Sequence, residues 1–161
     1  MATPLSPELA AFVESGISIQ VGVADARGRP DGSRCFGVHV APDREALTVY
    51  VPAPAIGEIR RCLAENPRAA AVFSRPADHR TIQVKGRLLE VHDAAEDERP
   101  HVERYRALAA ETFAQIGIPN RIFLAVNAWP SVAIRLAVED VFVQTPGPGA
   151  GARLAPPERA P

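Results

Sequence analysis

Apolar and polar positions alternate with a period of two along much of the chain. Ile17, Ile19, Val21 and Val23 alternate with Ser18, Gln20 and Gly22, which predicts a first strand ending in a turn through Arg27, Gly28, Arg29, Pro30, Asp31 and Gly32. A second strand over 33–41 sets Arg34, Phe36, Val38 and Val40 against Cys35, Gly37 and His39, and Pro42-Asp43 turns the chain into a third over 47–51. Residues 66–91 read as a hairpin with a tight turn at Pro76-Ala77-Asp78. Before the turn Ala70, Val72 and Ser74 alternate with Ala71, Phe73 and Arg75; after it Ile82, Val84 and Leu88 alternate with Thr81, Gln83, Lys85 and Arg87. Neighbouring strand residues face opposite ways, so the second arm has one apolar face and one carrying hydroxyl, amide and cations. A small barrel fills its interior with the first face and leaves the second for something polar. A last strand over 131–143 alternates Val132, Ile134 and Leu136 with Arg135 and Ala137.

Elsewhere the period becomes helical. Ser6 as N-cap, Pro7 at the first helical position and Glu8 in the first turn open a short helix whose apolar face is Leu9, Phe12 and Val13, and Gly16 stops it. Over 54–66, Ile56, Ile59 and Leu63 share one side while Arg60, Arg61 and Glu65 lie elsewhere, and Pro67 ends the helix. A longer helix is expected over 93–115, with Glu96, Asp97 and Glu98 in its first turn and Val102, Tyr105, Ala109 and Phe113 on its apolar face. Residues 117–127 read as an apolar connection. Many strands with few helices suit an antiparallel barrel better than a parallel α/β sheet.

Composition narrows the classes of function. With 161 residues, 47% apolar and 23% charged, the chain has the balance of one globular domain, expected over 1–145. Five of its 16 prolines and three glycines fall in 146–161, which is expected to be a flexible tail, and the Gly-Pro-Gly run there lacks the strand-to-helix setting of a phosphate loop. A net charge of −1 without a run of like charges gives no general pull toward nucleic acid. The N-terminus lacks a basic start followed by an apolar run, and no stretch approaches the roughly 20 apolar residues of a membrane helix, so no membrane partner and a cytoplasmic location are expected. Cys35 and Cys62 have no metal-ligand spacing and read as reduced, packed side chains. His92 and His101 flank an acidic segment without an HExxH-like spacing, so no metal site is read.

The order of these elements, with the third strand ending in Tyr50-Val51-Pro52, a helix closing in Glu65-Asn66-Pro67 and a hairpin arm containing Gln83-Val84-Lys85-Gly86, resembles the pyridoxamine 5'-phosphate oxidase-like group of FMN-binding split barrels. The resemblance covers roughly residues 8–145. It implies a mainly β (α+β) fold, a six-stranded antiparallel Greek-key split barrel with flanking helices, and a homodimer that binds FMN on the barrel exterior at the subunit interface. Because a flavin supplies the redox chemistry itself, no catalytic side chain is assigned.

Carried over residue by residue, the resemblance gives Arg34 to the flavin phosphate and puts His39 where the family usually has a lysine near it. The family's Ser-Arg-Lys phosphate cluster aligns with Gly57-Glu58-Ile59, which places a carboxylate where a cation should stand. Arg60 and Arg61 lie within a turn of that position and suit bidentate phosphate contacts, and they read equally well as solvated helix arginines. Tyr50, Val51 and Pro52, with Thr81, Gln83 and Lys85, would line the ring, and Trp129 would cover it; packing in the core is the alternative for Trp129 and solvation for Lys85. The Arg and His grip on substrate phosphate found in the true oxidases has no counterpart, since the tail offers only Arg153 and Arg159, so that activity is not assigned. The leading expectation is an FMN-dependent oxidoreductase acting on a small organic molecule. The alternative, favoured by Glu58, is a flavin-free split barrel that binds or senses a small ligand. Haem binding is a third, with His39 and His79 as its candidate ligands.

Overall fold

A computed structural model describes residues 4–154. Where the sequence predicts six strands, the structure has seven: β1 (Ser18–Ala24), β2 (Pro30–Cys35), β3 (Val38–Val40), β4 (Ala46–Pro52), β5 (Arg68–Ser74), β6 (Thr81–Asp93) and β7 (Ser131–Val143). All neighbours are antiparallel, in the order β2-β1-β5-β6-β7-β4-β3. The extra strand arises because the second predicted strand breaks at Phe36-Gly37. Gly37 lies against the Tyr50 ring, where a Cβ would sit only 2.9 Å from Cδ2, and the chain bends there. The Phe36 N–H donates to the Tyr50 carbonyl (2.8 Å) and the Tyr50 N–H to that of Gly37 (3.0 Å), so the bent β2–β3 unit leads from β1 to β4 and closes the barrel.

Inward-facing alternate residues fill the interior. Ile19 and Val21 of β1, Ala71 and Phe73 of β5, Ile82 and Val84 of β6, Val49 and Val51 of β4 and Ile134 and Leu136 of β7 are all buried. Each of the larger side chains contributes about 1.5–3 kcal/mol through burial. β6 serves both β5 and β7 along its 13 residues and shifts register between Lys85 and Gly86. A side chain at Gly86 would overlap the Ala137 carbonyl, so this shift needs glycine.

Among the described residues four helices flank the barrel: α1 (Pro7–Val13), α2 (Gly57–Glu65, after a 3-10 turn at Ala53–Ala55), α3 (Arg99–Ala114) and α4 (Asn120–Leu124). Ser6 caps α1 as expected, its Oγ accepting the Leu9 N–H at 3.2 Å. Gly16 follows with φ +74°, and a Cβ there would lie 2.5 Å from Leu108, so α1 ends hard against α3.

Three expectations are corrected. The long helix begins at Arg99 rather than residue 93, because β6 continues to Asp93 opposite Val132, and Glu96 and Asp97 precede the helix while Glu98 is its N-cap. The connection over 117–127 contains α4, whose Phe123 packs on Phe113 (ring centroids 4.8 Å apart) and near Phe36 (6.1 Å). The described part of the expected flexible tail is tied down: the Gly151 N–H donates to Val143 (2.7 Å), the Leu154 N–H to Val141 (2.8 Å), and Arg153 bridges Phe142. Residues 155–161 of that tail lie outside the described residues. Cys35 and Cys62 are buried free thiols. Among the described residues no helix is long and apolar enough to cross a membrane.

Candidate functional site

The outward face of β2-β1-β5-β6 carries two adjacent cross-strand rows. Arg34, Gln20, Val72 and Gln83 stand opposite one another across the four strands, and beside them run Gly32, Gly22, Ala70 and Lys85. The first row is polar at three of four positions and the second is nearly bare at three of four. Together they shape a shallow trough of about 430 Å³ lined by Gln20, Gly22, Gly32, Arg34, Ala70 and Gln83. The bare strip spans two strand spacings, roughly 10 Å, which is room for a flat fused-ring system lying on backbone.

Gly22 has a particular meaning here. A Cβ at Gly22 would meet nothing closer than the Ala70 carbonyl at 4.0 Å, so nothing else in the chain requires glycine at this position. A glycine inside a strand often marks the close approach of a ligand or another backbone. At Gly32, by contrast, a Cβ would lie 2.7 Å from the Val21 carbonyl, so the fold itself demands it.

The trough's polar groups have few partners. Gln20 and Gln83 make no side-chain hydrogen bond among the described residues, and Arg34 has no carboxylate partner there. The Arg34 guanidinium lies over the Phe113 and Phe123 rings, 5.4 and 5.8 Å from their centroids, with a long 3.5 Å contact to Ser18 Oγ. Lys85 extends toward Phe142, its ammonium 4.7 Å from the ring, along a second depression that shares Gly22 and Ala70.

The start of α2 is arranged differently. Arg61 donates to Glu58 (3.0 Å) and Glu65 (2.7 Å) and sits 3.7 Å from Asp25, while Arg60 donates to Asp93 (2.8 Å). Asp25 is itself saturated by the Arg27 and Arg29 N–H groups and the Arg29 guanidinium. Those hydrogen bonds, led by the Arg29 N–H, hold its carboxyl below the usual range. At the other end of α2, the Glu65 carboxylate accepts the Ala26 N–H and the Asn66 amide donates to the Ala24 carbonyl. Both α2 arginines are thus spent on carboxylates of their own chain.

His39 and Tyr50 fall on another part of the exterior. Across β3-β4-β7-β6, His39, Thr48, Arg135 and Glu90 form one row, and Tyr50, Ala133 and His92 form the next. The first turns of α3 roof this face and leave a cup of about 300 Å³. Glu98 Oε1 accepts from the Tyr50 hydroxyl (3.1 Å), and Oε2 accepts from the Ala95 N–H (3.0 Å) and meets His92 Nε2 (2.9 Å). Burial pushes the Glu98 carboxyl up, but these hydrogen bonds outweigh it and hold it below the usual glutamate value. Burial and the Glu98 charge push the Tyr50 phenol well up. The His101 ring stacks on His39 with centroids 4.1 Å apart, and His39 Nδ1 lies 3.6 Å from Glu14.

The remaining predicted site residues are scattered. Val51 points into the barrel core and Pro52 ends β4. Thr81 is buried, donating to the His79 carbonyl (2.9 Å) and paired with Ser74 Oγ (2.7 Å). Trp129 packs at the edge of the core and donates to Glu96 (3.3 Å). His79, in the β5–β6 turn, has φ +59° and is on a different element from His39. The structure therefore brings Arg34 and Gln83 together with Lys85 on the adjoining row, groups His39 with Tyr50, and leaves Arg60, Arg61, Thr81 and Trp129 apart from both. Gln20 and Gly22 join the site without being among the residues expected from the sequence, where their place on the polar face of the first strand is the available signal.

No family model matches the sequence, and a search of curated proteins finds no match. Similar solved structures include HupZ of Group A Streptococcus (16% identity, 92% of this chain and 98% of that one, TM-score 0.56). A candidate pyridoxamine 5'-phosphate oxidase from Lactobacillus delbrueckii is similar over 87% of this chain and 94% of that one, at 15% identity and TM-score 0.55. An F420 reductase is similar over 81% and 93%, at 15% identity and TM-score 0.50. The chain has the split-barrel fold of the pyridoxamine 5'-phosphate oxidase-like proteins.

Proposed function

We propose that this chain is a flavin-dependent oxidoreductase that lays FMN or a related flavin on the β2-β1-β5-β6 trough, as a homodimer whose second copy covers the ring, and acts on a small organic molecule. The observation that carries this reading is the bare strip of Gly32, Gly22 and Ala70 bordered by Gln20, Gln83 and Arg34, with Gly22 required by no contact among the described residues. The donor set fits the group: two free amides complement the alternating carbonyl and N–H edge of the flavin's pyrimidine ring, and a guanidinium without a carboxylate partner suits a phosphate or a developing negative charge. The solved oxidase candidate and F420 reductase of the same fold are named for chemistry of this class.

When bound, the flavin supplies the electron transfer. The chain's own residues bind and orient it: Gln20 and Gln83 fix the ring's edge, Arg34 anchors negative charge, and the backbone strip sets the depth of the ring. The start of α2 does not fit a phosphate, because Arg60 and Arg61 already satisfy four carboxylates and Glu58 adds repulsion. That observation favours the second reading, a flavin-free barrel for another planar ligand.

The deciding experiment is the visible absorption spectrum of purified protein before and after incubation with FMN and desalting. Retained flavin absorption supports the first reading, and a protein that stays colourless overturns it in favour of the second.

A further inference from the structure

The β3-β4-β7-β6 face places three of the chain's four histidines in one cup with α3 as its roof. Of these, His39 on β3 and His101 on α3 form one contact between barrel and roof, two imidazoles stacked at 4.1 Å with their planes 23° apart, beside the bonds that Glu98 makes to Tyr50 and His92. Such a stack holds when at least one ring is neutral. With both rings protonated, two like charges face each other at stacking distance, and repulsion acts along the line that joins α3 to β3.

We propose that the His39–His101 stack makes the docking of α3 on the barrel proton-sensitive, so that acidification releases the first turns of α3 and opens the cup. The surroundings set which proton is tolerated. Glu14, at the end of α1, lies 3.6 Å from His39 Nδ1 and gives a charge there a counter-ion, although its Oε1 already accepts the Val40 N–H. His101 has no such partner within hydrogen-bond reach among the described residues. Arg104 of its own helix opposes a second positive charge, Glu98 and Glu14 act the other way, and burial followed by the nearby His39 leaves the balance against protonation. From β4, Tyr50 presents its ring face to His101 at 6.0 Å, with its hydroxyl committed to Glu98. From β6 and β7, His92 is held by Glu98, while Glu90 and Arg135 face the cup. One proton on the pair has a place to sit, and the second does not.

The sign follows from linkage. His101 has its folded-state pKa held below its ordinary value of 6.5. Its docked state therefore has full stability above that value and loses it as pH falls below it. The device is independent of what the trough on the other side holds.

The test is amide hydrogen exchange of the whole protein between pH 7 and pH 5, corrected for intrinsic exchange, compared with His101→Phe. Phenylalanine keeps a ring against His39 and takes no proton. The expected result is that protection over residues 99–106 falls further between pH 7 and pH 5 in the wild type than in the variant. Equal pH dependence in the two proteins overturns the proposal. Should His101→Phe fail to fold, NMR titration of the wild-type histidines decides: coupled titration of His39 and His101 supports the device, and independent titration at ordinary values overturns it.

Discussion

On the β3-β4-β7-β6 side of the barrel, Glu98 is engaged by Tyr50, Ala95 and His92, and α3 roofs the face; on the β2-β1-β5-β6 side, Gln20 and Gln83 find no side-chain hydrogen-bond partner and Gly22 makes room for nothing among the described residues. Both faces are built from alternate outward residues of the same closed sheet. The difference is how the polar groups are engaged: Glu98 ties Tyr50, Ala95 and His92 Nε2 together on the roofed side, where buried His92 Nδ1 is left without a hydrogen bond, while the trough amides make none among the described residues. A satisfied network fixes a structure, whereas convergent unsatisfied groups beside open space leave their hydrogen-bonding capacity for another molecule.

The sharpest way to break this comparison is Gly22→Val. A Cβ at Gly22 meets only the Ala70 carbonyl at 4.0 Å, and valine suits a strand better than glycine, so the folded protein is expected to be as stable as the wild type or slightly more so. The same side chain would lift any flat ligand off the strip. FMN affinity, read by quenching of flavin fluorescence, is expected to fall by more than about a hundredfold while the melting temperature holds. A variant that binds FMN normally would remove the trough from the flavin reading.

Next in size is Arg34→Ala. A charge-assisted contact is worth about 1.5–3 kcal/mol, so FMN affinity is expected to drop roughly ten- to a hundredfold. Fluorescence titration of the variant with FMN and with riboflavin, which lacks the phosphate, identifies the group that Arg34 serves: a loss confined to FMN assigns it to the phosphate.

On the roofed side, Glu98→Ala is expected to cost about 2 kcal/mol of stability, because it strands the Tyr50 hydroxyl and the His92 N–H, and to leave flavin affinity unchanged. Its pH dependence has a definite sign. The Glu98 carboxyl is held below its ordinary 4.5 in the folded state, so its contribution is present above pH 4.5 and is lost as pH falls below that value. The gap in urea midpoint between wild type and variant should therefore narrow between pH 5 and pH 3.

The sequence shows why the barrel was easier to read than its sites. Ile19, Val21, Ile82, Val84, Ile134 and Leu136 announce strands through a period of two, and that period survives folding because the barrel interior uses every second residue. The break at Gly37 was hidden because the alternation runs on through Phe36 and Val38, and what bends the strand is the Tyr50 ring arriving from β4. Likewise α3 starts late because pairing of Asp93 with Val132 outcompetes an acidic run that looks like a first helical turn. The sites depended on cross-strand register. Arg34 and Gln83 were legible singly, but only the alignment of β2, β1, β5 and β6 places Gln20 and Gly22 between them. His39 and His101 are 62 positions apart and meet through the placement of α3, for which the sequence carries no local signal.

The smallest expected effect is the most instructive about α2. Arg61 aligns near the family's phosphate cluster, yet its guanidinium is shared among Glu58, Glu65 and Asp25, and its side chain is 41% exposed. For it to hold a phosphate it would have to leave two short ion pairs and approach a dianion with Glu58 still beside it. Exposed ion pairs are weak, so the exchange itself is cheap, but the uncompensated carboxylates would repel the incoming phosphate. Arg61→Ala is accordingly expected to change FMN affinity by less than about twofold, against the much larger loss at Arg34. If instead the two variants lose affinity equally, α2 rearranges on binding and takes the phosphate, and the trough holds the ring alone. Adding Glu58→Ser to the wild type separates these outcomes further, since removal of the carboxylate should tighten FMN binding only where the phosphate sits at α2.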